Sequence, residues 1–495
     1  MSTTTDLTSE PGAPNPTAVT SGRAGAAAAT RQRRTIGPLV LRLHFYAGVL
    51  VAPFLVVAAL TGLAFVFSPQ LDRVVYAHEL RVDPGSQTAR PLVEQVAAAQ
   101  QAHPDGDVAT VIPPVAATDT TKVVFNVPEL GEKQHTVYVS PYTNEVRGTL
   151  TTWFGETPLM TWLDDLHRNL HLGVAGRHYS ELAASWLWLV ALGGLFLWLR
   201  RQWTGRRKLR RTVLPDLSAK VGVRRTRGWH AATGVWLVIG LLALSATGLT
   251  WSRYAGANFG VLQDSLNARS PVLAASLSGN STGSTGGGHH DDSGGAAGDY
   301  QVADVDRVTI IARDAGLTGL IEVTPPAEPG TAWMVAQNDP TWPTGWDRAA
   351  IDPATGTVVA KSQFSDWPLL AQLSKVGVAL HMGYWLGLFN QILLLALATG
   401  LLCVIVWGYR MWWQRRPTRV DRAAPLGTPP ARRAWRQAHP VAVVVILAVA
   451  AAVGWALPML GISLAAFLLV DLLIGAVRRG RTRRAIPTSP APTQP

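Results

Sequence analysis

Two stretches of this sequence, LHFYAGVLVAPFLVVAALTGL from Leu43 and WHAATGVWLVIGLLALSATGL from Trp229, are long and apolar enough to cross a bilayer, and each carries a histidine at its head. A helix needs about 20 apolar residues to span the hydrocarbon core. In that core every backbone polar group must be bonded within the protein, so an unbroken apolar run can fold there only as a helix. Runs of this kind fall at 40–68, 182–200, 230–252, 384–408, 441–457 and 459–477, the last two divided by Leu457-Pro458-Met459. With only 15% charged residues, the chain is too apolar for an ordinary soluble fold. The expected fold class is a membrane all-α bundle of six spans: a four-helix core plus a C-terminal helical hairpin. The first run starts too far in, and is too long, for a cleaved signal peptide, so that helix itself is expected to direct insertion.

The net charge of +12 could suggest nucleic acid, but its distribution argues otherwise. Residues 1–43 hold 5 Lys and Arg, 200–228 hold 11, 410–438 hold 8 and 478–484 hold 5, against 6 in 69–165 and 7 in 253–375. With six spans, the four basic clusters share one side. This is the positive-inside pattern, with both termini cytoplasmic and no nucleic-acid partner. The single cysteine, Cys403, lies in an apolar run. Disulfides within the chain, Cys-ligated iron–sulfur clusters and CxxC chemistry are thereby excluded.

Between the spans, RPLVEQVAAAQQAHP reads as a helix, and DVATVIPP, KVVFNVPE and QHTVYVSPYTNEVRG read as strands. The second long segment repeats the order. VADVDRVTIIARDAG is helix-like; GLIEVTPP, AWMVAQND and DRAAIDPATGTVVA are strand-like. Two small extracytoplasmic α+β domains and a parallel internal repeat are expected. The resulting organisation is 1–35 disordered, 36–68 first span, 69–165 first α+β domain, 166–200 second span with its outer lead-in, and 201–223 basic loop. It continues with 224–252 third span, 253–375 second α+β domain containing a flexible 276–299 insert, 376–410 fourth span, 411–440 basic loop, 441–477 hairpin and 478–495 tail.

Four histidines occupy matched positions. His44 and His230 head their spans, followed at matching offsets by Gly48 or Gly234 and then by a Thr-Gly-Leu motif at the far end of the run. NLHLG and ALHMG place His171 and His381 at equal distances before an exit arginine, Arg200 or Arg410. His167 shares a helix face with His171. Ionisable groups in spans usually face a bundle interior or a cavity, and imidazole is a common metal ligand. Two imidazoles from facing helices can ligate one haem iron on both sides and favour electron transfer. The expected pairs are His44 with His230, and His171 or His167 with His381. Gly48, Gly234, Gly173 and Gly383 would let a macrocycle approach the backbone, and Arg42, Arg227, Arg168 and Arg177 lie where propionates could be paired. A non-haem metal or a proton relay is the competing reading. His289, His290, Asp291 and Asp292 read as a solvated linker, His178 as interfacial, and His78, His103, His135 and His439 as unpartnered surface residues. Tryptophans near span ends read as an aromatic belt.

The set LHFYAGVLVAPFLVVAALTGL, DLHRNLHLGVAGR, WHAATGVWLVIGLLALSATGL and ALHMGYWLGLFNQ resembles the PepSY-associated transmembrane family over roughly residues 35–415, with the α+β regions resembling PepSY domains. The resemblance implies a protein of the bacterial cytoplasmic (inner) membrane holding two haem b groups. Their ligands would be His44, His230, His381 and one of His167 or His171. It implies reduction of an extracytoplasmic ferric siderophore or similar iron chelate, an oxidoreductase role in iron acquisition. No nucleotide-binding loop is evident, so the electron donor would be a quinol or a cytoplasmic reductase. Two alternatives stand beside this expectation: a non-enzymatic sensor, regulator or assembly factor binding an extracytoplasmic peptide or protein, and an iron or haem permease.

Overall fold

The computed structural model describes residues 36–153, 155–205, 213–215, 221–277, 302–415 and 439–484. The expected N-terminal disorder, most of the 276–299 insert with His289 and His290, most of both basic loops and the end of the tail lie outside these residues. In chain order the helices are α1 (Gly37–Leu50), α2 (Ala52–Phe65), α3 (Ser68–Val75), α4 (Ala77–Leu80) and α5 (Leu92–Ala102). Strands β1 (Asp107–Ile112), β2 (Thr121–Asn126), β3 (Gln134–Val139) and β4 (Val146–Thr152) come next. Then follow α6 (Pro158–Asn169), α7 (Gly173–Gly205), α8 (Val223–Thr250), α9 (Tyr254–Ser265) and α10 (Val305–Asp314). The second strand set is β5 (Ile321–Thr324), β6 (Trp333–Gln337), β7 (Arg348–Asp352) and β8 (Thr357–Ser362). Helices α11 (Leu369–His381), α12 (Leu388–Gln414), α13 (Pro440–Ala456) and α14 (Pro458–Arg484) complete the chain.

Among the described residues four helices are long and apolar enough to cross a membrane: 173–203, 223–250, 388–414 and 458–477. Helices α1 and α2 together make a fifth, bent by 56°. The bend has a local cause. Pro53 has no N–H for the carbonyl of Val49 and its ring crowds that turn; the Tyr409 hydroxyl of α12 donates to the Val49 oxygen instead, at 2.9 Å. The expected sixth span, α13, has 17 residues, about 25 Å of helix, and falls short of the other spans. It still packs with α14 as a hairpin, where Gly454 and Gly461 bring the two backbones together. Leu460 of α14 is buried in a core with Ala47, Val51, Leu55, Ala183, Trp186 and Leu241. The core thus joins residues of α1, α2, α7 and α8, and the hairpin is fastened to the bundle.

The two strand sets do not form separate domains. They join into one eight-stranded sheet of order β4-β3-β2-β1-β5-β6-β7-β8, linked where Val111 pairs with Val323. Alternation along the strands sends Val123, Phe125, Val137 and Val139 to one face. There they bury a single core with Leu92, Val96 and Ala99 of α5 and Val305, Val308 and Ala312 of α10. Each fully buried Val or Phe side chain there contributes roughly 1.5–3 kcal/mol, and both halves of the sheet add residues to this one core. Asp306 of α10 also caps α5, accepting from the backbone N–H of Leu92 at 2.7 Å and of Val93 at 2.9 Å. On the opposite face, Thr120 donates to the Glu79 carbonyl of α4 at 2.8 Å. That face lies toward the membrane helices.

Candidate functional site

The histidines meet in two pairs, one at each end of the bundle. His44 of α1 faces His230 of α8 with ring centroids 6.4 Å apart. These two sit at the end where the chain carries Arg200, Arg224, Arg225 and Arg410. His167, in the last turn of α6, faces His381, the last residue of α11, at 6.2 Å. This second pair lies on the side of the sheet.

Each ring is held through Nδ1. The Nδ1 of His44 is 3.1 Å from the Val190 carbonyl of α7, and that of His230 is 2.9 Å from the Val404 carbonyl of α12. A carbonyl can only accept, so both Nδ1 atoms carry the proton. In the sheet-side pair, Nδ1 of His167 is 2.9 Å from the Thr61 hydroxyl and Nδ1 of His381 is 2.7 Å from the Thr247 hydroxyl. Each hydroxyl already donates back along its own helix, Thr61 to Val57 at 2.9 Å and Thr247 to Ala243 at 2.8 Å. Its single proton is spent there, so it accepts from the imidazole. All four histidines are therefore fixed as the tautomer whose Nε2 lone pair is available to a metal.

The matched geometry follows matched spacing. Val190 follows His167 at the same interval as Val404 follows His381, and Gly194 and Gly408, one helical turn further on, are matched in the same way. These glycines floor the arginine-side rings. A Cβ on Gly194 would stand 3.2 Å from His44 Cε1, and one on Gly408 3.7 Å from His230 Cε1. The Thr-Gly-Leu glycines do the same at the sheet side: Gly62 at 3.3 Å from His167 Cε1 and Gly248 at 3.6 Å from His381 Cε1. Gly48 and Gly234 face open space, and Gly173 and Gly383 serve chain breaks with φ of +55° and +85°.

Other sequence candidates fall elsewhere. His171 is not beside His381. The helix ends at Leu170 and His171, both with positive φ (54° and 56°), which turns the His171 ring outward onto Trp162 at 4.9 Å. Arg42 pairs with Asp471 of α14 at 2.6 Å. Arg168 pairs with Asp165 at 3.0 Å and Asp164 at 3.4 Å, and Arg177 donates to the Trp251 carbonyl at 3.0 Å. Those three arginines thus each have a partner within the protein; Arg227 sits just before His230 on α8. His103 and His135, expected to stand alone, are hydrogen-bonded to each other at 2.8 Å.

The donor set suits a haem. A ring nitrogen lies roughly 1.1 Å from its centroid and a metal–imidazole bond is about 2.0–2.1 Å, so two imidazoles across one metal ion put their centroids about 6.3 Å apart. Both observed separations fall there. Each pair offers two nitrogens, the number a haem would need from the protein; a bare zinc ion takes three or four from protein. A cavity of about 240 Å³ lined by Leu43, Ala47, Leu189 and Phe196 opens beside His44. A second, of about 440 Å³, is bounded by Arg225, Trp229, Trp407 and Arg410 at the same end of α8 and α12.

Sequence reasoning marked the Thr-Gly-Leu motifs as repeats without seeing their task. Their spacing from His44 and His230, about 25 Å along a helix, was the available signal: it carries each threonine to the far end of the bundle. The carbonyls of Val190 and Val404 carry no side-chain signal at all. Comparison with curated proteins finds no match. A family model described as PepSY-associated TM region matches residues 41–415.

Proposed function

Because the chain belongs to the family of PepSY-associated TM regions, and because its bundle holds two facing histidine pairs, we propose that it is a membrane haem protein that conducts electrons to an extracytoplasmic ferric chelate. His44 and His230 would hold one haem b, and His167 and His381 a second. Haem held by these histidine pairs would supply reversible one-electron transfer. The chain's own residues do the rest. Val190, Val404, Thr61 and Thr247 keep each Nε2 unprotonated and aimed. The glycines at 62, 194, 248 and 408 give the rings a close seat on neighbouring helices. The apolar bundle excludes water.

The observation that carries this reading is the shared arrangement of four imidazoles: two facing pairs at metal-bridging separation, every Nδ1 committed. The basic clusters favour a cytoplasmic position for the His44 end, which would take electrons from a quinol or a cytoplasmic reductase in a bacterial inner membrane. The sheet-side pair would deliver them outside. There the substrate gains one electron at iron; Fe(II) is held less tightly than Fe(III) by hard oxygen ligands, and the metal is released. The joined sheet would shape the delivery site.

The test is vectorial. Proteoliposomes are loaded with a reductant inside and given a ferric hydroxamate outside, and molecules with the basic face inward are followed through an iron(II) indicator. Iron(II) should form with the native protein and stop in both His44→Ala and His381→Ala. Native-rate reduction in either variant would sink the proposal.

A further inference from the structure

Between the sheet and the sheet-side histidines lies a group of buried polar side chains that the histidine chemistry does not use. Asp72 of α3 is 5% exposed and Tyr138 of β3 is fully buried. Asp72 Oδ2 accepts from the Thr157 hydroxyl at 2.6 Å. Among the described residues Asp72 Oδ1, Glu156 Oε2 and the Tyr138 hydroxyl are buried and have no hydrogen-bond partner. Lys122 is directly opposite Tyr138 across the β2–β3 pair, so both side chains project from the same sheet face, the one toward the bundle. Three unpartnered polar atoms in one buried region are costly in a structural interface. They are what a proton-handling site with exchangeable water requires.

The charged groups acting on Glu156 come from three elements: Asp164 of α6, Asp72 of α3 and Lys122 of β2. Tyr384, just beyond His381, faces Glu156, Asp164 and Asp72. Glu79 and Tyr76 stand behind Asp72 and Tyr138. Burial first, then the negative charges of Asp164 and Asp72, pushes the Glu156 carboxyl up to about 8, with Lys122 opposing. Burial likewise raises Asp72 and lowers Lys122.

Helix α6 connects this group to the histidines. Thr157 caps its start and His167 lies in its last turn, roughly 15 Å along the axis. We propose that Glu156, supported by Asp72 and Lys122, is a proton-exchange group whose hold on a proton tightens as one electron reaches the His167–His381 pair, so that in the alkaline range where the carboxyl is still partly ionised, reduction draws a fraction of a proton from water on the sheet side. The inference rests on the haem reading above. The donor's electron adds one negative charge at the pair, and the part of Glu156 still ionised shifts toward the neutral carboxyl, offsetting a fraction of that charge. At about 15 Å and the effective dielectric typical of such sites, that electron raises the carboxylate's proton affinity roughly five- to tenfold.

The test is an infrared pH titration of the carboxyl band in the purified full-length protein, in native, Glu156→Gln and Glu156→Asp forms. The titration is run on haem-free, oxidised and dithionite-reduced samples. The native protein should show a protonated carboxyl at pH 7 that titrates near pH 8 even without haem. Glu156→Gln should remove the band, and Glu156→Asp should restore a titrating one. Reduction should move the native midpoint up by somewhat less than one pH unit. A band that titrates in the ordinary carboxylate range, or survives in Glu156→Gln, overturns the assignment. A midpoint indifferent to reduction overturns the coupling while leaving the haem reading intact. Failure to bind haem overturns the reading beneath it, and the visible spectrum reports that before any titration.

Discussion

Replacing Thr61 by valine removes one hydroxyl and almost no volume, and it strikes the sheet-side site without touching a ligand. The Thr61 hydroxyl accepts the Nδ1 proton of His167 at 2.9 Å. Its own proton goes to the Val57 carbonyl, an oxygen within the helix, so the substitution orphans chiefly the imidazole. A buried donor left unpaired costs about 1–3 kcal/mol, and about 1.4 kcal/mol is tenfold in affinity. The ring also loses the contact that fixes its tautomer, for which about 10- to 100-fold weaker binding is usual. Thr61→Val should therefore lose one haem about 10- to 100-fold faster than the native protein and keep the other at the native rate. Haem capture by excess apomyoglobin, followed by absorbance, reads both phases. Thr247→Val should act on the same phase through His381, and Thr61→Ser should behave as native. Loss of both haems together, or of neither, would refute the positioning role of the hydroxyl.

His167→Ala should remove the sheet-side haem while His171→Ala leaves haem content unchanged, as counted by pyridine haemochrome; the reverse would show that the outward turn at Leu170 and His171 is not the working conformation. Asp306→Ala should lower the stability of the sheet by about 1–2 kcal/mol through loss of the α5 cap, read from its thermal unfolding, with the visible spectrum unaltered; an unchanged melting curve would remove the cap from the account.

Much of this architecture is legible in the residues. The apolar runs predict the spans of α1–α2, α7, α8, α12 and α14, and the strand runs coincide closely with β1 to β8. Two things are not legible. The join between the strand sets rests on one short pairing around Val111 and Val323, made by segments from opposite halves of the chain, and no local pattern announces it. The choice between His167 and His171 turns on where α6 stops. Helical spacing puts both on one face, and the positive φ at Leu170 and His171 ends the helix at residues not specialised for it. An alignment to Arg200 and Arg410 selects His171; the carbonyls of Val190 and Val404 select His167. The length of the hairpin's first helix is not legible either: Pro458 ends α13 at 17 residues, at the lower end of what can span.

The central claim is that the two histidine pairs each hold a haem. The most direct measurement is the absorption spectrum of the detergent-purified protein, oxidised and dithionite-reduced, with haem counted per chain after expression with ample haem supply. The account predicts sharp reduced α and β bands and about two haems per chain, falling to about one in His44→Ala and in His381→Ala. A native protein that carries no haem under those conditions would contradict it.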